Sequence, residues 1–187
     1  MVSARKYRPT KFKDVVGQDH VTKTLQNAIK NNKVAQSLLF CGPRGVGKTT
    51  CARILANEIN NFDFTNPIEN SNNFNIYELD AASNNSVDDI RNLIEQVRYP
   101  PQSGKFKVYI IDEVHMLSNA AFNAFLKTLE EPPSYAIFIL ATTEKNKVIP
   151  TILSRCQIYD FNRIEIPDIK NKLSEILKSE KISFEDE

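Results

Sequence analysis

The chain has 187 residues, with 24 Lys and Arg against 23 Asp and Glu for a formal charge of +1, which excludes a polycationic protein whose grip on nucleic acid follows from net charge alone. At 41% apolar and 25% charged residues it is too apolar for a disordered chain and suits one core-forming domain, with or without the beginning of another. The longest run free of polar side chains, residues 136–141, is far short of the roughly 20 that span a bilayer, and the first residues lack a signal-type apolar segment, so a cytosolic protein with no membrane attachment is expected.

In chain order, the first thirteen residues hold Arg5, Lys6, Arg8, Lys11 and Lys13 and no acid. Val21, Leu25, Ala28 and Ile29 then recur at helical spacing, followed by an apolar run of strand length at 38–41. Cys51, Ile54, Leu55 and Ile59 mark a second helix. Residues 57–75 contain eight Asn with Pro67 and no sustained period, which predicts an irregular insertion. A strand at 76–79 leads to a helix carrying Ile90, Leu93, Ile94 and Val97, and a strand at 108–111 to one carrying Phe122, Phe125, Leu126 and Leu129. Strands at 136–141 and 158–161 precede a final helix with Ile169, Leu173, Ile176 and Leu177. Strands apolar on both faces, alternating with helices, predict a doubly wound α/β fold around a parallel sheet. Cys41, Cys51 and Cys156 are scattered and form no CxxC pair, so neither a disulfide framework nor a structural zinc site is expected.

Gly42-Pro43-Arg44-Gly45-Val46-Gly47-Lys48-Thr49 fits G-x-x-x-x-G-K-[ST], between the strand ending at Cys41 and the helix carrying Ile54. That is the setting of a phosphate-binding loop, in which glycines let backbone N–H groups curl round a phosphate and the helix N-terminus adds partial positive charge. Lys48 is expected to reach the β- and γ-phosphates and Thr49 to ligate Mg²⁺. Val108-Tyr109-Ile110-Ile111-Asp112-Glu113 is a buried strand ending in two acids. Ligands of parallel sheets bind beyond the carboxyl ends of the strands, so Asp112 is expected to hold Mg²⁺ through its water shell and Glu113 to polarise an attacking water. Thr142 and Thr143 end the next strand, and Arg155 sits in Ser154-Arg155-Cys156; spacing alone leaves their roles open.

Together these residues resemble the ATPase domain of the bacterial DNA polymerase III gamma/tau subunits, the clamp-loader branch of the AAA+ superfamily. The matching stretches begin with Ala4-Arg5-Lys6-Tyr7-Arg8-Pro9, Asp14-Val15-Val16-Gly17-Gln18, the P-loop and Glu78-Leu79-Asp80-Ala81-Ala82-Ser83. They continue through Asp112-Glu113-Val114-His115-Met116-Leu117, Lys127-Thr128-Leu129-Glu130-Glu131-Pro132-Pro133, Ala141-Thr142-Thr143 and Ser154-Arg155-Cys156. The resemblance implies a five-stranded parallel sheet of order 5-1-4-3-2, with a nucleotide-binding domain over residues 1–163 and the start of a helical lid at 164–187. It implies ATP and Mg²⁺ as cofactors, held by Gly42, Gly45, Val46, Gly47, Lys48, Thr49 and Thr50, with Tyr7, Arg8, Pro9 and Val16 bordering the adenine. It makes Lys48, Glu113, Thr143 and Arg155 the catalytic set, Thr143 as sensor 1, with Thr142 as the alternative, and Arg155 as a finger reaching a neighbour's ATP.

The implied partners are the other subunits of a hetero-pentameric clamp loader, the sliding clamp and primer–template DNA, within a cytoplasmic DNA-directed DNA polymerase holoenzyme. The sequence departs from the family pattern in two places. Residues 57–75 contain no Cys where the family carries a four-cysteine zinc module, and the chain stops at Glu187, before the family's sensor 2 arginine and collar. A piece of a longer protein is therefore expected, monomeric and weakly active by itself. Competing expectations are a non-hydrolysing scaffold subunit, which would have no use for Lys48, Thr49 and Glu113, and a DExH-type helicase motor, suggested by Asp112-Glu113-Val114-His115.

Overall fold

Leu38, Leu39, Phe40 and Cys41 have almost no exposure on either face of their strand, and such a strand is stable only between two covered faces. The computed structural model describes residues 6–61, 75–101 and 104–182 and places this strand, β1 (Ser37–Cys41), inside a sheet. The other strands are β2 (Ile76–Asp80), β3 (Lys107–Asp112), β4 (Ala136–Thr142) and β5 (Gln157–Asp160). All four pairings are parallel and the order is β2-β3-β4-β1-β5, which is the expected order read from the opposite edge.

Side-chain alternation divides the core in two. Leu38 and Phe40, Val108 and Ile110, and Ile137 and Ile139 face α1 (Asp19–Lys30) and α2 (Lys48–Asn60). Leu39, Tyr109, Ile111, Phe138 and Leu140 face α3 (Val87–Val97) and α4 (Asn119–Glu130). Tyr77, Tyr109 and Phe138 stack across β2, β3 and β4, and Phe125 of α4 meets Phe138 edge-on. A single helical turn, α5 (Pro150–Leu153), precedes β5, and α6 (Ile166–Ser179) follows it. Ser86 caps α3 by a capping box with Asp89, which satisfies two otherwise orphaned N–H groups.

The irregular stretch expected from residue 57 begins too early. Helix α2 continues to Asn60, with Asn57 and Asn60 both buried. Asn is a modest helix former because its amide competes with the backbone, but here the amides have specific partners. Asn60 Nδ2 donates to the Ala56 and Phe106 carbonyls at 3.1 and 3.0 Å, and its Oδ1 accepts from the Lys105 and Phe106 N–H groups at 2.9 and 2.8 Å. Of the rest of the expected insertion, Asn61 ends the helix in a left-handed conformation, Asn75 is buried before β2, and residues 62–74 lie outside the described residues.

Candidate functional site

The ends of β1, β3 and β4 and the start of α2 converge on the loop 42–47. Gly42 has φ +152°, and a Cβ there would lie 2.5 Å from the Phe161 carbonyl oxygen; only glycine lets the loop pass so close to the strand β5 exit. Gly47, at φ +103°, is the left-handed residue from which α2 begins. The N–H groups of Lys48, Thr49 and Thr50 precede the first intrahelical bond, from Cys51 N–H to the Gly47 carbonyl at 2.8 Å. They belong to the partially positive, donor-rich end of the helix.

Lys48 is only 6% exposed. Its ammonium folds back over the loop and donates to the carbonyls of Gly42 and Pro43 at 2.8 and 2.7 Å. Burial lowers its pKa from the ordinary lysine value, while the carboxylates of Glu113 and Asp112 act in the opposite direction. Thr49 Oγ1 donates to Asp112 Oδ2 at 2.6 Å. These two oxygens, from helix and strand, form the kind of donor pair that a hard divalent cation takes, so the residues present fit Mg²⁺.

Asp112 Oδ1 accepts the N–H of Glu113 at 2.9 Å. Glu113 itself has φ +49°, a left-handed conformation that costs a non-glycine residue about 1–2 kcal/mol. The turn swings its carboxylate onto the end of β4, where Oε2 accepts from Thr143 N–H at 3.2 Å and from Thr143 Oγ1 at 2.9 Å. The two threonines left open by spacing are thus separated by their partners. Thr143 meets Glu113, whereas the fully buried Thr142 meets the His115 ring at 2.9 Å and accepts Glu144 N–H at 3.0 Å.

Beside the loop lies a cavity of about 220 Å³ lined by Tyr7, Pro9, Val15, Val16, Val46 and Thr50, and by Ile164, Lys172 and Ile176 from the α6 side. Its size and largely apolar walls suit a flat heterocycle. Tyr7, Pro9 and Val16, three of the four residues expected to border an adenine, thus line one cavity. Arg8 is exposed and is not among the lining residues. The α6 contribution went unforeseen in the sequence. Glu180, just beyond α6, accepts Lys6 Nζ at 2.5 Å and the Tyr7 hydroxyl, and Tyr7 also meets Ser179 Oγ at 2.9 Å.

Arg155 sits apart from this cluster. Its guanidinium donates to the Thr151 carbonyl at 2.7 Å and forms a short ion pair with Glu130 at the end of α4. Gln18 and His115 also escaped the sequence reading as site residues. Gln18, fully buried, donates to the Asn162 carbonyl at 2.7 Å and accepts Asn162 N–H at 3.1 Å, fixing the segment that leads from β5 to α6.

The protein family described as "DNA polymerase III, delta subunit" matches residues 17–165, a stretch that takes in the P-loop, Asp112, Glu113, Thr143 and Arg155. The chain belongs to that family. The chain is also 49% identical to DNA polymerase III subunit tau of Bacillus subtilis, over 97% of this chain and 34% of that protein. It is 45% identical to subunit tau of Escherichia coli, over 98% of this chain and 30% of that protein. It thus spans about a third of the length of these curated relatives. Among solved structures, the RuvB Holliday junction branch migration motor of Thermotoga maritima superimposes with a TM-score of 0.72 at 22% identity, covering 96% of this chain and 56% of that one. A DNA polymerase III gamma subunit-related protein of the same organism does so with a TM-score of 0.62 at 23% identity, covering 82% and 53%. At these identities the superpositions establish the fold alone, a five-stranded parallel sheet of order β2-β3-β4-β1-β5 flanked by helices.

Proposed function

We propose that this chain is the nucleotide-driven motor unit of a bacterial clamp loader, which binds and hydrolyses Mg-ATP to place the sliding clamp on primed DNA during replication. The observation that carries this reading is the meeting of Lys48, Thr49, Asp112, Glu113 and Thr143 at three adjacent strand ends, in a chain nearly half identical to replicative polymerase tau subunits. Lys48 exchanges its two loop carbonyls for the β- and γ-phosphate oxygens, and the α2 N–H groups and Gly45 to Thr50 hold the remaining phosphate charge. Thr49 and Asp112 would hold Mg²⁺, which would supply positive charge against the transferred phosphoryl group. Glu113 orients a water and takes up its proton, and Thr143 holds the carboxylate in place. Tyr7, Pro9 and Val16 border the adenine, and Arg155 serves the site of an adjacent subunit. The partners on this reading are the other loader subunits, the clamp and primer–template DNA, in the bacterial cytoplasm; the isolated unit is monomeric and weakly active.

Glu113→Gln in the assembled complex tests the reading. The amide cannot accept the proton, so Mg-ATP affinity by calorimetry should stay at the parental value while single-turnover hydrolysis falls at least about a hundredfold. Parental turnover would remove Glu113 from the chemistry.

A further inference from the structure

His115 occupies a place that the hydrolytic scheme above leaves unused. It lies on the single 3-10 turn Val114–Met116 after β3, and its side chain is only 6% exposed although Met116 beside it reaches the surface. The ring makes three polar approaches: Nδ1 to Thr142 Oγ1 at 2.9 Å, Nδ1 to Glu113 Oε2 at 3.4 Å, and Nε2 to Glu144 Oε1 at 3.4 Å. Thr142 is fully buried and its oxygen already accepts Glu144 N–H. Its hydroxyl proton therefore needs an acceptor, since an unsatisfied buried donor is costly, and His115 Nδ1 is placed to be that acceptor. The ring proton then sits on Nε2, directed at Glu144, whose carboxylate is held low in pKa by its bond with Lys147. Thr142 thus bonds both the His115 ring and the Glu144 backbone, and the Glu144 carboxylate lies 3.4 Å beyond the other ring nitrogen.

From this geometry we infer that His115 is a positioning residue for Glu113. It ties the strained turn that carries Glu113 to the end of β4, and so fixes the distance over which Glu113 reaches Thr143. Thr142 is the far anchor of the same brace, which gives the neighbouring threonines different duties: one holds the carboxylate, the other holds the turn. The inference rests on the hydrolytic reading of Glu113 only for its effect on rate; the brace itself is independent of it.

Two measurements test it. In the full-length subunit within its complex, His115→Ala and the near-isosteric Thr142→Val should each lower kcat, by up to about a hundredfold for a displacement near 1 Å, with Mg-ATP affinity unchanged. His115→Asn, whose Oδ1 falls where Nδ1 stood, should restore most of the rate, and the double variant His115→Ala/Thr142→Val should be no slower than either single one. In the present chain without nucleotide, ¹⁵N NMR should find His115 protonated at Nε2. There the Thr143 amide, bonded to Glu113, should exchange faster in His115→Ala and return towards the parental rate in His115→Asn. An Nδ1-protonated ring, or Thr143 exchange indifferent to all three substitutions, would overturn the brace whatever the enzyme does. If exchange responds as expected but kcat does not, the brace stands without a bearing on the rate and the positioning role is wrong. A parental complex that does not hydrolyse ATP would overturn the hydrolytic reading alone and leave the exchange experiment to decide on His115.

Discussion

Lys48 carries a full charge in a place largely stripped of water, held there by two backbone carbonyls. Carbonyl dipoles are weaker partners than phosphate oxygens, so the nucleotide-free loop keeps a cation that is under-compensated until a polyanion arrives. Its lowered pKa has a definite sign: between the folded and the higher unfolded value the unfolded chain binds more protons, so this residue's contribution to stability rises with pH across that interval. Lys48→Ala should therefore weaken Mg-ATP binding by about 2–3 kcal/mol, roughly 30- to 150-fold, as expected for loss of hydrogen bonds to charged groups. The same change should leave the melting temperature of the nucleotide-free protein at or above the parental one. Calorimetry and thermal unfolding of one sample check both; unchanged affinity would dismiss the loop as the phosphate site. The residue scale also shows what the chain alone could and could not reveal. Lys48, Thr49 and Asp112 were legible because phosphate and metal chemistry demands those types at fixed offsets from a strand end. His115 was legible only as part of a motif, because its bond to Thr142 depends on the left-handed turn at Glu113, and no sequence pattern encodes a positive φ at a glutamate.

Elements are held to one another by a few polar side chains as well as by the two apolar layers. Asn60 is the clearest case, since one amide closes the end of α2 and at the same time satisfies both the N–H of Lys105 and the N–H and carbonyl of Phe106 at the start of β3. Asn60→Ala would leave two backbone donors and one acceptor without a partner in a part-buried setting, each worth about 1 kcal/mol, the low end of the range for unsatisfied groups. A loss of roughly 3 kcal/mol in denaturant unfolding is expected, with ATP affinity preserved because the change is at the opposite end of α2 from the P-loop. A loss below about 1 kcal/mol would mean that water replaces the amide without cost. This residue also explains the misplaced boundary at 57. Composition reads Asn as a breaker, whereas the helix persists because tertiary partners reward Asn at that one turn. The strands were legible to within one residue because both faces of β1, β3 and β4 are apolar, while β2, at the edge and half-exposed, was legible mainly by its place between helices. The four-residue α5 was not, since one turn is too short to show a period.

At the scale of the whole molecule, the question is what a unit of this size can do by itself. Arg155 is anchored by Thr151 and Glu130 on the α4–α5 side, outside the cluster of Lys48, Asp112 and Glu113. An arginine delivered between subunits contributes on the order of 10³–10⁵ in related phosphoryl transfers, because it meets charge that develops only in the transition state. In a complete loader, Arg155→Ala in one subunit should therefore slow hydrolysis at the adjacent site while that subunit's own Mg-ATP affinity stays near parental. Complexes assembled with one variant subunit, assayed for DNA-stimulated turnover, make the distinction. Failure confined to the variant's own site would mean that Arg155 acts in cis.

The contacts at the two ends of α6 give the molecule a mechanical property. Near its start, Ile164 lies against Gly17 and lines the cavity beside the P-loop, on a segment pinned by Gln18 through Asn162; at its finish, Ser179 and Glu180 hold Tyr7 and Lys6. A helix of 14 residues is about 21 Å long. A turn of the helix by about 5° about its start would move the far end by roughly 2 Å along that length. The N-terminal strip, fastened to that far end, travels with it. In such a turn α6 would be the lever arm and the residues between β5 and α6, held by Gln18, the pivot.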